Sequence, residues 1–144
     1  MLFRSPSGAL ELLGPPQSLE GVKRVSHTPD GAIIALAADE VFGDLGAHLA
    51  VWHRDSNQYV ALGARHARSE FLLGMALSNN GQWLAASWSD YDGTRLELWD
   101  VRARRLVSSR VFGRDERVDW LAFDAKGRLL GNKAQGSTSA TVPV

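Results

Sequence analysis

Apolar and polar positions recur along this chain on a common ruler. Val22-Lys-Arg-Val25-Ser-His-Thr-Pro-Asp-Gly31, Leu72-Leu-Gly-Met75-Ala-Leu-Ser-Asn-Asn-Gly81 and Val118-Asp-Trp-Leu121-Ala-Phe-Asp-Ala-Lys-Gly127 align without a gap. In each, an apolar residue stands nine positions before a glycine, and a second apolar residue follows it by three. The copies are fifty and forty-six residues apart, a step that belongs to stacked-repeat architectures. After each glycine comes a short, mostly apolar stretch without helix caps, at 32–38, 82–88 and 128–132. Two such stretches around Pro29-Asp30-Gly31, Asn79-Asn80-Gly81 or Ala125-Lys126-Gly127 predict a hairpin. Its turn needs a positive φ, which glycine adopts at least cost.

Two of the copies continue into a further shared segment. Ala47-His-Leu-Ala-Val-Trp52-His53 matches Thr94-Arg-Leu-Glu-Leu-Trp99-Asp100. Leu96 and Leu98 alternate with Arg95, Glu97 and Trp99, the period of two that marks a strand. Beyond a turn, 59–62 and 106–112 predict a fourth strand. A full unit therefore reads strand, tight turn, strand, loop, strand, turn, strand.

The same ruler reaches both ends. Leu10 precedes Val22 by twelve residues, as Val60 precedes Leu72 and Leu106 precedes Val118. Leu2-Phe3, the Pro6-Ser7-Gly8 turn and 9–13 thus read as the last strands of an earlier unit, with Phe3 in the slot of Trp52 and Trp99. Segments 21–63 and 71–112 read as full units and 118–132 as the start of a third. The small and polar run from Lys133 leads into 133–144, read as a tail or an edge strand. The expected fold class is all-β, made of four-stranded antiparallel sheets, about three sheets' worth.

Trp99-Asp100 at the end of an alternating strand, with Thr28-Pro29-Asp30-Gly31 as a turn, resembles the WD-repeat family, and the resemblance covers roughly 2–132. It implies a β-propeller, here an incomplete or open ring of divergent blades, since the pattern starts and stops within a blade. Leu2-Phe3-Arg4-Ser5 also coincides with one reading frame of a common sequencing adaptor, and the expectation is a segment of a longer chain. The Gly-His dipeptide of the family is absent before Val22, Leu72 and Val118, and His53 follows the first Trp. The family's buried His–Asp–Ser/Thr–Trp network is therefore not expected.

The resemblance also implies that first strands line a channel and that loops 14–20, 39–46, 65–70, 89–93 and 113–117 gather on a partner-binding face. Arg24, His66, Arg68, Glu70, Arg114, Asp115, Glu116 and Trp120 are the candidate binding residues. Trp120 shares the slot of Arg24 and Gly74, too variable to be core; an aromatic beside arginine suits an interaction hot spot, and the alternative is a tryptophan that fills a narrow channel.

Composition narrows the chemistry. Lys plus Arg and Asp plus Glu are 16 each, so no bulk field favours nucleic acid or an anionic membrane. Cysteine is absent, which excludes disulfides, thiolate metal sites and a Cys nucleophile. The N-terminal stretch has no long uncharged apolar core, so if Met1 is the native start the cytoplasm is the default location, and otherwise the location is open.

Asp90-Tyr91-Asp92-Gly93 lacks the further acids of a calcium loop and reads as an acidic turn. His27 takes the slot of Leu77 and Phe123 and reads as core. His48 and His53 fall on opposite faces of one strand. Neither a nucleophile elbow nor a phosphate loop occurs. No metal, cofactor or catalytic residue is expected. The function expected is a protein–protein interaction scaffold, binding other proteins and not nucleic acid or membrane, with self-association through open sheet edges as a further outcome. The alternative is a TolB-like or peptidase-associated propeller domain serving an enzyme encoded elsewhere in a longer chain.

Overall fold

The computed structural model describes residues 2–4, 10–12, 19–41, 47–65, 71–90, 93–113, 116–132 and 139–142. Strands β1 (Leu2–Arg4) and β2 (Leu10–Leu12) pair antiparallel. Strands β3 (Leu19–His27), β4 (Ile33–Val41), β5 (Ala47–His53) and β6 (Gln58–Arg65) form a four-stranded antiparallel sheet in sequence order. Strands β7 (Phe71–Leu77), β8 (Trp83–Asp90), β9 (Gly93–Asp100) and β10 (Arg105–Phe112) repeat that order. Strands β11 (Leu121–Phe123), β12 (Leu129–Asn132) and β13 (Ser139–Val142) make a three-stranded sheet. No helix occurs among the described residues. The chain divides into two compact units, Met1–Arg65 and His66–Val144.

The three repeated glycines sit where the ruler places them. Gly31, Gly81 and Gly127 adopt φ of 70°, 73° and 77°, a region costly for residues with a Cβ. A polar side chain locks each turn. Thr28 Oγ1 donates to Asp30 Oδ1 at 2.7 Å and accepts from Ile33 N–H at 3.2 Å. Ser78 Oγ donates to Asn80 Oδ1 at 2.8 Å and accepts from Trp83 N–H at 2.9 Å. In the third turn Asp124 Oδ1 alone accepts from Lys126 N–H at 2.9 Å and Arg128 N–H at 2.8 Å.

The repeat extends to irregularities. The β3–β4 ladder shifts between Val22 and Arg24, and the β7–β8 ladder between Leu72 and Gly74. These are matching β-bulges, which bend a strand and tighten its twist. Register also carries strands past the loop bounds read from the sequence. Leu19 pairs with Val41 and Glu20 with Glu40, inside segments 14–20 and 39–46, while Ser89 pairs with Thr94 and Asp90 with Gly93. Polar residues do not stop a strand whose ladder partner remains in place.

The first unit buries Ile34, Leu36, Ala38, Ala50 and Trp52 together, with Tyr59 and Ala61 packed on them. Trp52 and Tyr59 stack at 5.2 Å between centroids, 5° from parallel. The second unit buries Ala76, Ala85, Leu96, Leu98, Phe112, Val118, Leu121 and Leu129, so its two sheets share one core. By register, Ala38 and Ala50 correspond to Trp88 and Glu97. Where the first sheet has two alanines, the second has a buried tryptophan whose Nε1 donates to Glu97 Oε1 at 2.7 Å. Glu97 is 2% exposed, and Arg95 Nε approaches its Oε2 at 3.4 Å. Large side chain and hydrogen-bond acceptor have changed together, as burial of an indole N–H requires.

One expectation is corrected. His27 is exposed, not core; its Nδ1 lies 2.7 Å from Thr28 O, and an imidazole that keeps a polar partner in solvent gains little from burial. The fourth strand expected at 106–112 is present as β10, with a register unlike that of β6. The sheet alternation of β6 buries Val60 and Leu62, but a shift between Leu106 and Ser108 moves the β10 register by one. Ser108 and Arg110 then stand opposite Leu98 and Leu96, and every residue of β10 before Phe112 is exposed. A one-residue slip reverses which side chains face the core.

Candidate interaction surface

The slot that sequence alignment gives to Arg24, Gly74 and Trp120 is equivalent in the backbone. Arg24 stands opposite Ala37 and Gly74 opposite Ser87. Trp120, just before β11, faces Asn132 through two bonds: its N–H donates to Asn132 Oδ1 at 2.8 Å, and Asn132 N–H donates to Trp120 O at 3.4 Å. The segment leading to it is held equally firmly. Val118 is buried, and its carbonyl accepts from the buried Ser87 Oγ at 2.8 Å. A Cβ on Gly74 would lie 3.2 Å from Asp119 O and 3.2 Å from Ser87 Oγ, so the absent side chain lets β7 come up against this backbone. Gly131 is similarly close, with a Cβ position 3.2 Å from Val118 Cγ1.

On this pinned backbone the Trp120 side chain is 51% exposed. Arg117 and Asp119 precede it in sequence and pair at 3.2 Å on the surface, an exposed ion pair that adds little stability. Glu116 N–H donates to Gly113 O at 2.9 Å. The structure therefore places Glu116 and Trp120 on one segment of the second unit. Arg24 lies exposed on β3 of the first unit. His66, Arg68, Glu70, Arg114 and Asp115 lie outside the described residues.

Asn132 and Ser87, which hold the segment, escaped the sequence reading. Their signal was an amide and a hydroxyl at positions equivalent to Ala37 in the first sheet, where no polar group is needed for a strand. Among the described residues no group of three or more His, Asp or Glu could hold a metal ion.

No protein-family model matches the sequence, and no curated protein matches it. Structure does find likenesses. Among 223 matching solved chains is one in the crystal structure of the mitotic checkpoint complex, with a TM-score of 0.58 and 18% identity. The match covers 94% of this chain and 35% of that one, so this chain spans about a third of its neighbour's length. Many matches in backbone with none in sequence mean that the fold is shared and the residues are not.

The four-stranded sheets are propeller blades. The likeness is one of fold. Within it, the tryptophan of the third blade strand is solved differently in the two blades. Trp52 Nε1 donates to Asn57 Oδ1 at 3.2 Å, whereas Trp99 Nε1 is buried with no hydrogen-bond partner among the described residues.

Proposed function

We propose that this chain is a protein-interaction module built from divergent WD-repeat-like blades, with no catalysis of its own. The observation that carries this reading is Trp120, a large aromatic half exposed on a backbone anchored by Asn132, Ser87 and Gly74. Hot spots are enriched in tryptophan, and a residue on a backbone already ordered loses less entropy on docking. The neighbour in the mitotic checkpoint complex belongs to a protein assembly, which favours protein partners. Closed propellers have about four to eight blades. Two four-stranded blades, a three-stranded sheet and a match to 35% of the neighbour support a place within a longer ring.

Quantitative comparison of the proteins retained by the immobilised chain and by Trp120→Ala tests this. A hot-spot tryptophan truncated to alanine costs about 2 kcal/mol or more, so a set of proteins should fall away from the variant while far-UV circular dichroism stays the same. Identical retention by both proteins rejects this surface.

A further inference from the structure

The outer edge of the second blade carries a feature that the Trp120 surface does not use. Segment 101–112 contains Arg102, Arg104, Arg105 and Arg110 and no acidic residue, on a chain whose formal net charge is zero. All four are exposed. None makes an ion pair with a described residue; Arg105 stands in register with Asp100, but that carboxylate accepts from Ala103 N–H at 3.0 Å. Arg110 lies over the Phe112 ring at 5.0 Å, which orients it along the strand. Val107, between Arg105 and Arg110, and Val111, just after Arg110, are 46% and 75% exposed.

Among the described residues β10 pairs only with β9, so its other edge presents backbone donors and acceptors in a row. Beyond the bulge, 108–112 is in regular register, long enough for a short added strand. We propose that β10 binds an acidic, extended segment of a partner protein as an additional antiparallel strand. Main-chain bonds supply the attachment in such strand addition, and alternate side chains the selectivity. Carboxylates on the incoming strand meet Arg105 and Arg110, and its small apolar residues cover Val107 and Val111. The same arginines oppose edge-to-edge pairing of two copies, because each copy brings four positive charges to the joint; charged edges are a common guard against it. A polyanion without a strand backbone would answer the charges and leave the valines and the ladder edge uncovered.

This inference rests on reading the chain as a protein-binding module, at a surface other than Trp120. The test uses the 144-residue chain and a fluorescent peptide alternating Glu with Val and Thr, read by anisotropy. Three probes accompany it: a Lys-for-Glu peptide, the acidic peptide N-methylated at alternate residues, and a single-stranded DNA of equal charge. Saturable binding of the acidic peptide is expected, absent for the Lys peptide. Rim charges and ladder bonds both matter here, so N-methylation and the double variant Arg105→Glu/Arg110→Glu should each weaken binding at least ~tenfold, with unchanged circular dichroism. Equal binding of the N-methylated peptide, or equally tight binding of the DNA, overturns strand addition in favour of a general anion patch. Absence of saturable binding also overturns it. If that happens while Trp120→Ala still strips partners from the chain, the module stands and the β10 site falls.

Discussion

Asn57 and Arg104 occupy the same place in two equivalent turns and adopt the same left-handed backbone, at φ of 52° and 54°. Asparagine tolerates that region better than other residues with a side chain. It also does a second job: Asn57 Oδ1 accepts the indole N–H of Trp52 at 3.2 Å. Arginine has no acceptor, and Trp99, 3% exposed, keeps an Nε1 unpaired among the described residues. A buried donor left unmade costs about 1–3 kcal/mol. Arg104→Asn should therefore stabilise the chain by about 1–2 kcal/mol, relieving backbone strain and supplying the missing acceptor. Urea denaturation checks this against the converse change. Asn57→Arg should lower stability by a comparable amount, and silence in both variants would show that these turns do not govern the tryptophans.

At the scale of the element, the hairpin turns are chemically unequal although they share a shape. Asp30 is held below the usual carboxylate range, chiefly because it accepts the Ala32 N–H and also the Thr28 hydroxyl. Asp124 is lowered chiefly by the Arg128 N–H, with the Arg128 guanidinium and the Lys126 N–H adding to it. The middle turn performs the work of Asp30 with neutral Asn80, whose Oδ1 accepts from Gln82 N–H at 3.0 Å. A carboxylate whose folded pKa is depressed binds fewer protons folded than unfolded. Its contribution is present above the ordinary carboxylate range and lost as pH falls through the lowered folded value. The double variant Asp30→Asn/Asp124→Asn should accordingly show a flatter acid limb of stability against pH than the wild type, measured by urea midpoints across the acid range. Coincident limbs would count against these turns as the acid-sensitive elements.

These turns were legible because glycine φ and short polar side chains act within a few residues. The exposure of β10 was not, because the bulge after Leu106 is placed by the ladder to β9. One added residue puts Ser108 and Arg110 at the ladder positions that Val60 and Leu62 hold in the first blade. His27 failed for a related reason: slot identity does not say whether a face is covered. The aligned slot of Arg24, Gly74 and Trp120 is equivalent in the backbone, yet the bonds that hold the Trp120 segment join residues twelve and thirty-one apart, which no local pattern records.

At the scale of the whole molecule, stacked repeats gain their stability from what each unit does for its neighbour. Within the second unit that joint is concrete. The blade of β7–β10 and the sheet of β11–β13 share the core of Leu96, Leu98, Phe112, Leu121 and Leu129, and one buried hydrogen bond, Ser87 Oγ to Val118 O at 2.8 Å, crosses between them. The two partners are not equally able to stand alone. The blade has ladders of seven and eight register pairs on β9, whereas β11 pairs with β12 over three residues. Ser87→Ala removes the bond and strands a buried carbonyl, at a cost of about 1–3 kcal/mol. The loss should fall where local opening is already easiest. Native-state hydrogen exchange should therefore accelerate across 118–132 more than across 93–100. If protection drops equally in both, the two sheets open as a single cooperative body, and the joint at Val118 is a seam inside one folding unit rather than a boundary between two.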